Sequence, residues 1–202
     1  PDGTVHLRGS VPDLAAKRVV PRIARELAGH AAIADHLRLR PETPQPDDRL
    51  ADLLDQALRS EPVFAETRVG RAGEEPIPER GRRIVVTAEA GVLGLAGEVE
   101  SLSHRRLAEA IAWWIPGVCD VDNRLHVAPP EQDDDGEISE ALALVLERDP
   151  ALSAEAVRPR VHDAVVHLEG TVRSREQAER AIHDCWTIAG VHGVRDALSI
   201  TS

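Results

Sequence analysis

The chain is poor in the residues that staple, span or catalyse. It has two cysteines in 202 residues, Cys119 and Cys185, and they fall at different positions of the repeat described below. Neither a disulfide framework nor a metal-ligand pair is implied, and both read as small core residues. Aromatics make up 2% of the chain, so its three tryptophans stand out. No apolar run reaches the length of a membrane-spanning helix, and no leader of basic, apolar and small residues is visible. The chain reads as soluble. It begins without methionine inside a patterned strand; a leader removed upstream would place it in the periplasm or envelope, and a native chain without one in the cytoplasm. Basic residues are in deficit, 24 against 35 acidic, for a net charge of −11. That balance repels polyanions at long range, so no nucleic-acid partner is expected.

Motifs for chemistry are missing too. There is no GxSxG elbow, phosphate loop, dinucleotide fingerprint, CxxC or HExxH. Among the nine histidines, His162, His167, His183 and His192 cluster late in the chain at spacings that fit no ligand set. The acidic runs Asp133–Asp135 and Glu74–Glu75 read as solvating charge, and DDDGEISE lacks the alternating order of a calcium loop. The expectation is no catalytic residue, no metal and no cofactor: not an enzyme.

What is present is a stretch spelled three times. Its fullest copy runs from Gly91 to Val127, GVLGLAGEVESLSHRRLAEAIAWWIPGVCDVDNRLHV. Alternating apolar residues surround a first glycine, a helix-like run follows, and a second glycine introduces another alternating segment. The pairs Gly9 and Gly29, Gly97 and Gly117, Gly170 and Gly190 are each twenty residues apart. These six are read as structural: the first lies on the core side of a strand, where a missing side chain lets the following helix approach, and the second ends that helix. Asp13, Ser101 and Ser174 stand where helix N-caps are wanted, and Pro21 should bend or weaken the first helix.

The second and third copies carry more. Leu50, Leu53, Leu54, Ala57 and Leu58 recur at helical spacing, as do Ile138, Ala141, Leu142, Val145 and Leu146. Asp47 or Asp48 is placed to cap the former helix. Each complete unit reads helix, strand, strand, helix, strand, an α+β arrangement with a three-stranded mixed sheet covered on one face by two helices. The units span 1–41 (partial, strand–helix–strand), 48–128 and 136–202. Pro-rich acidic segments join them. The middle unit has an insertion near 65–83, read as a long loop.

On a helical wheel, Arg105, Ala108, Ala112 and Ile115 form the sheet-facing stripe of the middle unit, as Ala178, Ala181, Cys185 and Ile188 do in the last. Trp113 and Trp186 fall nearly opposite and are expected to face outward. With Trp114 they make the candidate binding surface, covered by a neighbouring unit or a partner, or facing lipid or ligand.

These residues resemble the BON domain family. Gly91, Leu93, Leu95, Gly97 and Val99 match its first part, and Gly117, Val118, Val121, Asn123, Leu125 and Val127 its second; in the third copy Ala164 replaces the first glycine and Asp196 the asparagine. The resemblance implies tandem BON units in a bacterial envelope- or stress-associated protein, as in osmotic stress. It implies a non-catalytic module that binds phospholipid surfaces peripherally, with chaperone-like protein docking or small-ion binding as alternatives. The first unit lacks the opening helix and strand, which upstream residues or a homo-oligomer would complete.

Overall fold

The alternating segments of each copy pair into a sheet of their own, and the run between them becomes a helix packed on one face. The computed structural model describes residues 3–73, 81–152 and 157–201. Unit one is β1 (Val5–Val11), α1 (Leu14–Ala28) and β2 (Ile33–Leu39), its strands parallel. Unit two is α2 (Asp47–Ser60), a 3-10 turn (Pro62–Phe64), β3 (Arg68–Arg71), β4 (Arg83–Glu89), β5 (Val92–Val99), α3 (Leu102–Trp114) and β6 (Asp120–Val127). Unit three is α4 (Asp135–Arg148), β7 (Val157–His162), β8 (Val165–Val172), α5 (Arg175–Thr187) and β9 (Gly193–Ile200). In both complete units a hairpin joins antiparallel strands, and a helical crossover returns the chain to a parallel one.

The caps form as the sequence requires. Asp13, Ser101 and Ser174 accept from the backbone N–H of Ala16 (2.8 Å), His104 (3.0 Å) and Gln177 (3.2 Å), each bond contributing about 1 kcal/mol to its helix. Helix α1 runs through Pro21, which lies on its buried face.

Four local expectations are corrected. The middle sheet has four strands, because β3 forms inside the expected loop and runs parallel to β4. It is only four residues long, with Val69 buried, too short for periodicity to announce it. The remainder of the insertion at 74–80, including Glu74 and Glu75, lies outside the described residues. Second, Asp47 does not cap α2, whose N-cap is Pro46 without a side-chain bond. Its carboxylate instead accepts from the N–H groups of Ala90 (2.8 Å) and Gly91 (2.9 Å), bracing the β4–β5 turn. Asp135 does the same for Asp163 (2.8 Å) and Ala164 (2.9 Å) at the β7–β8 turn.

Third, the first glycine of each copy is not required by the helix that follows. Gly9, Gly97 and Gly170 share φ near 130°, a backbone that side chains rarely adopt, and a Cβ on Gly97 would lie 2.2 Å from the carbonyl oxygen of Arg83 on the neighbouring strand. Fourth, Gly117 and Gly190 lie in the turns after α3 and α5, which are capped at Ile115 and Ile188; only Gly29 caps its helix directly.

Apolar side chains from all three units belong to one continuous core, to which unit one contributes Leu14. Helix α3 is at its centre, packed on β5 and β6 and touching α2, α4 and α5. It is buried on nearly every side.

Candidate functional site

Burial of α3 decides the fate of the tryptophans. Trp113 is 6% exposed and belongs to the core: of the outcomes expected for its face, cover by a neighbouring unit occurs and a surface open to lipid or ligand does not. The wheel was sound as local geometry: the face opposite the sheet is covered by neighbouring helices, which no single helix can report. Trp114 is half-buried and donates from Nε1 to Asp184 Oδ1 of unit three (3.0 Å). Trp186 is half-buried against the same core. The three are not brought together as one exposed surface.

Charged side chains link the units instead. Buried Lys17 on α1 bonds the Leu37 carbonyl and pairs with Asp35 (3.3 Å) and with Asp120 of unit two (3.0 Å). Arg18 bonds Glu109 of unit two (2.6 Å) and the carbonyls of Trp186 (3.4 Å) and Thr187 (3.2 Å) in unit three. Arg106 on α3 reaches the Ala189 carbonyl (2.8 Å) and Asp133 (2.6 Å), and Arg148 reaches Glu61 (2.7 Å). Such pairs fix orientation more surely than they add stability.

Behind Trp114 is a buried acid pair. Asp184 and Asp149 share a hydrogen bond, and Arg180 Nε donates to Asp149 (2.6 Å). Burial, then the hydrogen bond and charge of Asp149, push the Asp184 carboxyl up to about 8. Burial pulls Asp149 the same way, but bonds from Asp184, Ala151 and Arg180 outweigh it and hold Asp149 below the ordinary value. One proton is thus retained between two carboxyls at neutral pH. Nearby, burial raises the Cys185 thiol. Among the described residues, no group of three or more His, Cys, Asp or Glu side chains is placed to hold a metal ion.

The exposed chemistry is on the sheet faces that no helix covers. On unit one, the outward residues of β1 and β2 include His6, Arg8, Ser10, His36 and Arg38, with Arg40 just beyond, all exposed. His6 and His36 stack with ring centroids 5.9 Å apart, and Arg40 donates to Ser10 Oγ (3.3 Å). Among the described residues of β1 and β2, no carboxylate is on this face, because Asp35 points inward to Lys17. At Arg38 it meets an open trough of about 790 Å³ on unit two, with a floor of Val92, Gly94 and Ala96 and rims that include Glu89, Asp122 and Arg124. Sequence reading passed over this face because its basic residues are spread one by one over two strands.

The chain is a repeat-built α+β scaffold with open sheet faces and ion-paired unit joints. The sequence matches the BON domain family over residues 2–41, 75–129 and 134–202, and the chain belongs to that family. It is 31% identical over 122 residues to osmotically-inducible protein Y of Escherichia coli (strain K12), a match covering 57% of this chain and 60% of that one. Two solved structures of CdsD, a structural protein of the type III secretion system of Chlamydia trachomatis, align at 14% identity and TM-score 0.30. One alignment covers 100% of this chain and 86% of the CdsD C-terminal domain, the other 98% and 81%. At that score the likeness carries no argument. Among the described residues, no helix is long and apolar enough to cross a membrane.

Proposed function

We propose that the chain is a non-catalytic, stress-associated binding module of BON type that docks peripherally on phospholipid surfaces. The observation that carries this reading is the open face of unit one: in a chain of net charge −11, the outward residues of β1 and β2 among those described include Arg8, Arg38, His6 and His36, with Arg40 just beyond, and no carboxylate. The docking surface is therefore the bare side of the first sheet, and the helix surface carrying Trp113 is set aside because that residue is buried. A flat, basic face suits phosphate headgroups, each arginine near an anionic membrane adding about 1 kcal/mol. Three arginines would together favour binding by roughly 100-fold.

Sedimentation with vesicles of increasing phosphatidylglycerol content tests it. Binding should rise with the anionic fraction, weaken with salt, and fall roughly 100-fold in the Arg8→Ala, Arg38→Ala, Arg40→Ala triple variant. An absence of binding to every composition overturns the reading. Protein docking through Trp113 and Trp186 has no exposed Trp113 on which to rest.

A further inference from the structure

Two arginines of α3 line one cleft, and the fold leaves hydrogen-bond donors on both unused. The cleft, about 170 Å³, lies where Leu102, Arg105, Arg106 and Glu109 of α3 meet Asp133 of the linker and the Ala189–Gly190 turn of unit three. Arg106 is 4% exposed. Its Nε donates to the Ala189 carbonyl (2.8 Å) and its Nη2 to Asp133 (2.6 Å), but its buried Nη1 has no partner among the described residues. A Cβ on Gly190 would lie 3.3 Å from that Nη2, so the glycine gives the guanidinium its seat. Arg105 is half-buried, and among the described residues its side chain makes no hydrogen bond or ion pair. The nearby acids are already engaged. Glu109 accepts from Arg18 (2.6 Å) and Asn123 (3.1 Å), Asp133 from Arg106, Glu131 from the Leu102 N–H (2.6 Å) and Glu137 from Ser103 (3.5 Å).

Comparison of the three copies shows the same surplus of positive charge. The position of Arg105 is held by Lys17 in unit one and Ala178 in unit three, and that of Asn123 by Asp35 and Asp196. In unit one the two positions form an ion pair, Lys17 to Asp35 at 3.3 Å. Unit two keeps the cation but has a neutral amide where the carboxylate stood, and Asn123 Nδ2 donates to the Arg105 carbonyl (3.0 Å) and to Glu109. Unit three keeps the carboxylate and has no cation. Arg105 is thus a cation whose repeat partner has lost its charge.

We propose that this cleft between units two and three binds an oxyanion of phosphate size. A buried donor without an acceptor is costly, and a guanidinium without a counter-charge favours a group that is both negative and rich in acceptor oxygens. A metal cation does not suit the cleft, because its carboxylates already serve other donors and two guanidiniums stand beside them. Size narrows the ligand further. The cleft is smaller than the roughly 300 Å³ at which pockets for drug-sized molecules begin, so it takes a small anion or one protruding phosphate. The ligand would touch α3 of unit two and the Gly190 turn of unit three together. The site shares no residue with the basic open face of unit one and does not depend on the lipid reading.

The probe is inorganic phosphate, titrated at fixed ionic strength into the intact chain and followed by backbone amide resonances. The signals of Arg105, Arg106 and Gly190 should shift saturably at millimolar phosphate, and sulfate should compete. Arg105→Gln removes a guanidinium that bonds no described residue, so thermal unfolding without phosphate should be unchanged while phosphate binding weakens roughly tenfold or more. Arg105→Lys keeps the charge and should lose less; equal losses would count against an anion. The Arg8→Ala, Arg38→Ala, Arg40→Ala variant should bind phosphate as the parent does, which separates this site from the docking face of unit one. Shifts of the same three signals with phosphatidylglycerol vesicles but not with free phosphate would identify the oxyanion as a lipid headgroup. No saturable shift with either, or shifts that survive Arg105→Gln undiminished, would overturn the site.

Discussion

Replacing Asp184 with asparagine should change how the stability of the chain depends on pH. In the unfolded chain the Asp184 carboxyl titrates near its ordinary 3.8, while in the fold it holds its proton to about 8. Between these values the unfolded state binds fewer protons than the folded one, so stability falls as pH rises and levels off above pH 8. At about 1.4 kcal/mol per pH unit, the loss across that window is on the order of 5 kcal/mol. Asparagine fits the same site, its amide N–H donating to Asp149 and its carbonyl accepting from Trp114, without a proton to lose. Asp149, depressed in the fold, acts in the opposite sense and only in acid, where its contribution is lost as pH falls below its ordinary 3.8. His104 and His183 are lowered by burial, so they favour the fold above about pH 6.5 in both variant and parent, and cancel in the comparison. Urea unfolding read by tryptophan fluorescence at pH 5, 6.5, 8 and 9 measures the effect. The variant should gain on the parent steadily from pH 5 to pH 8. Parallel profiles for the two proteins would refute the assignment of a buried proton to this pair.

Three further outcomes are expected. Asp135→Ala and Asp47→Ala each remove a carboxylate that accepts from two backbone N–H groups, so each should lower urea stability by about 1–3 kcal/mol and speed amide exchange at its turn. Gly97→Ala should destabilise more than Gly9→Ala: both strain the backbone by about 1–3 kcal/mol, but only the former drives a Cβ into the Arg83 carbonyl. Equal losses in calorimetry would contradict that account. Trp113→Ala should cost about 3–5 kcal/mol as a buried large-to-small change; a loss under 1 kcal/mol would mean that the residue is not packed in the core.

Features that depend on near neighbours in sequence were legible. The period-two runs around Gly97 and Gly170 became β5 and β8, the 3.6-residue spacing of Leu50, Leu54 and Leu58 became α2, and Ser101 and Ser174 became caps. The stripe Ala178, Ala181, Cys185 and Ile188 is buried against its sheet as the wheel requires. Strand β3 was not legible, since four residues, one of them Gly70, carry no measurable period. Asp47 was misread for a related reason: at a helix start, capping is the nearest use for a carboxylate, whereas its partners Ala90 and Gly91 lie 43 and 44 residues away.

The sequence by itself determined the threefold unit, the order of its elements and the positions that must be glycine or apolar, because hydrophobic alternation and backbone sterics act within a few residues. The tertiary structure decided everything that rests on what lies across a gap. It placed helices over Trp113, joined Trp114 to Asp184, and turned Asp35 inward to Lys17, away from the face that carries Arg8 and Arg38. Burial and electrostatic environment are sums over neighbours in space, and residues from three units meet only when the chain has folded.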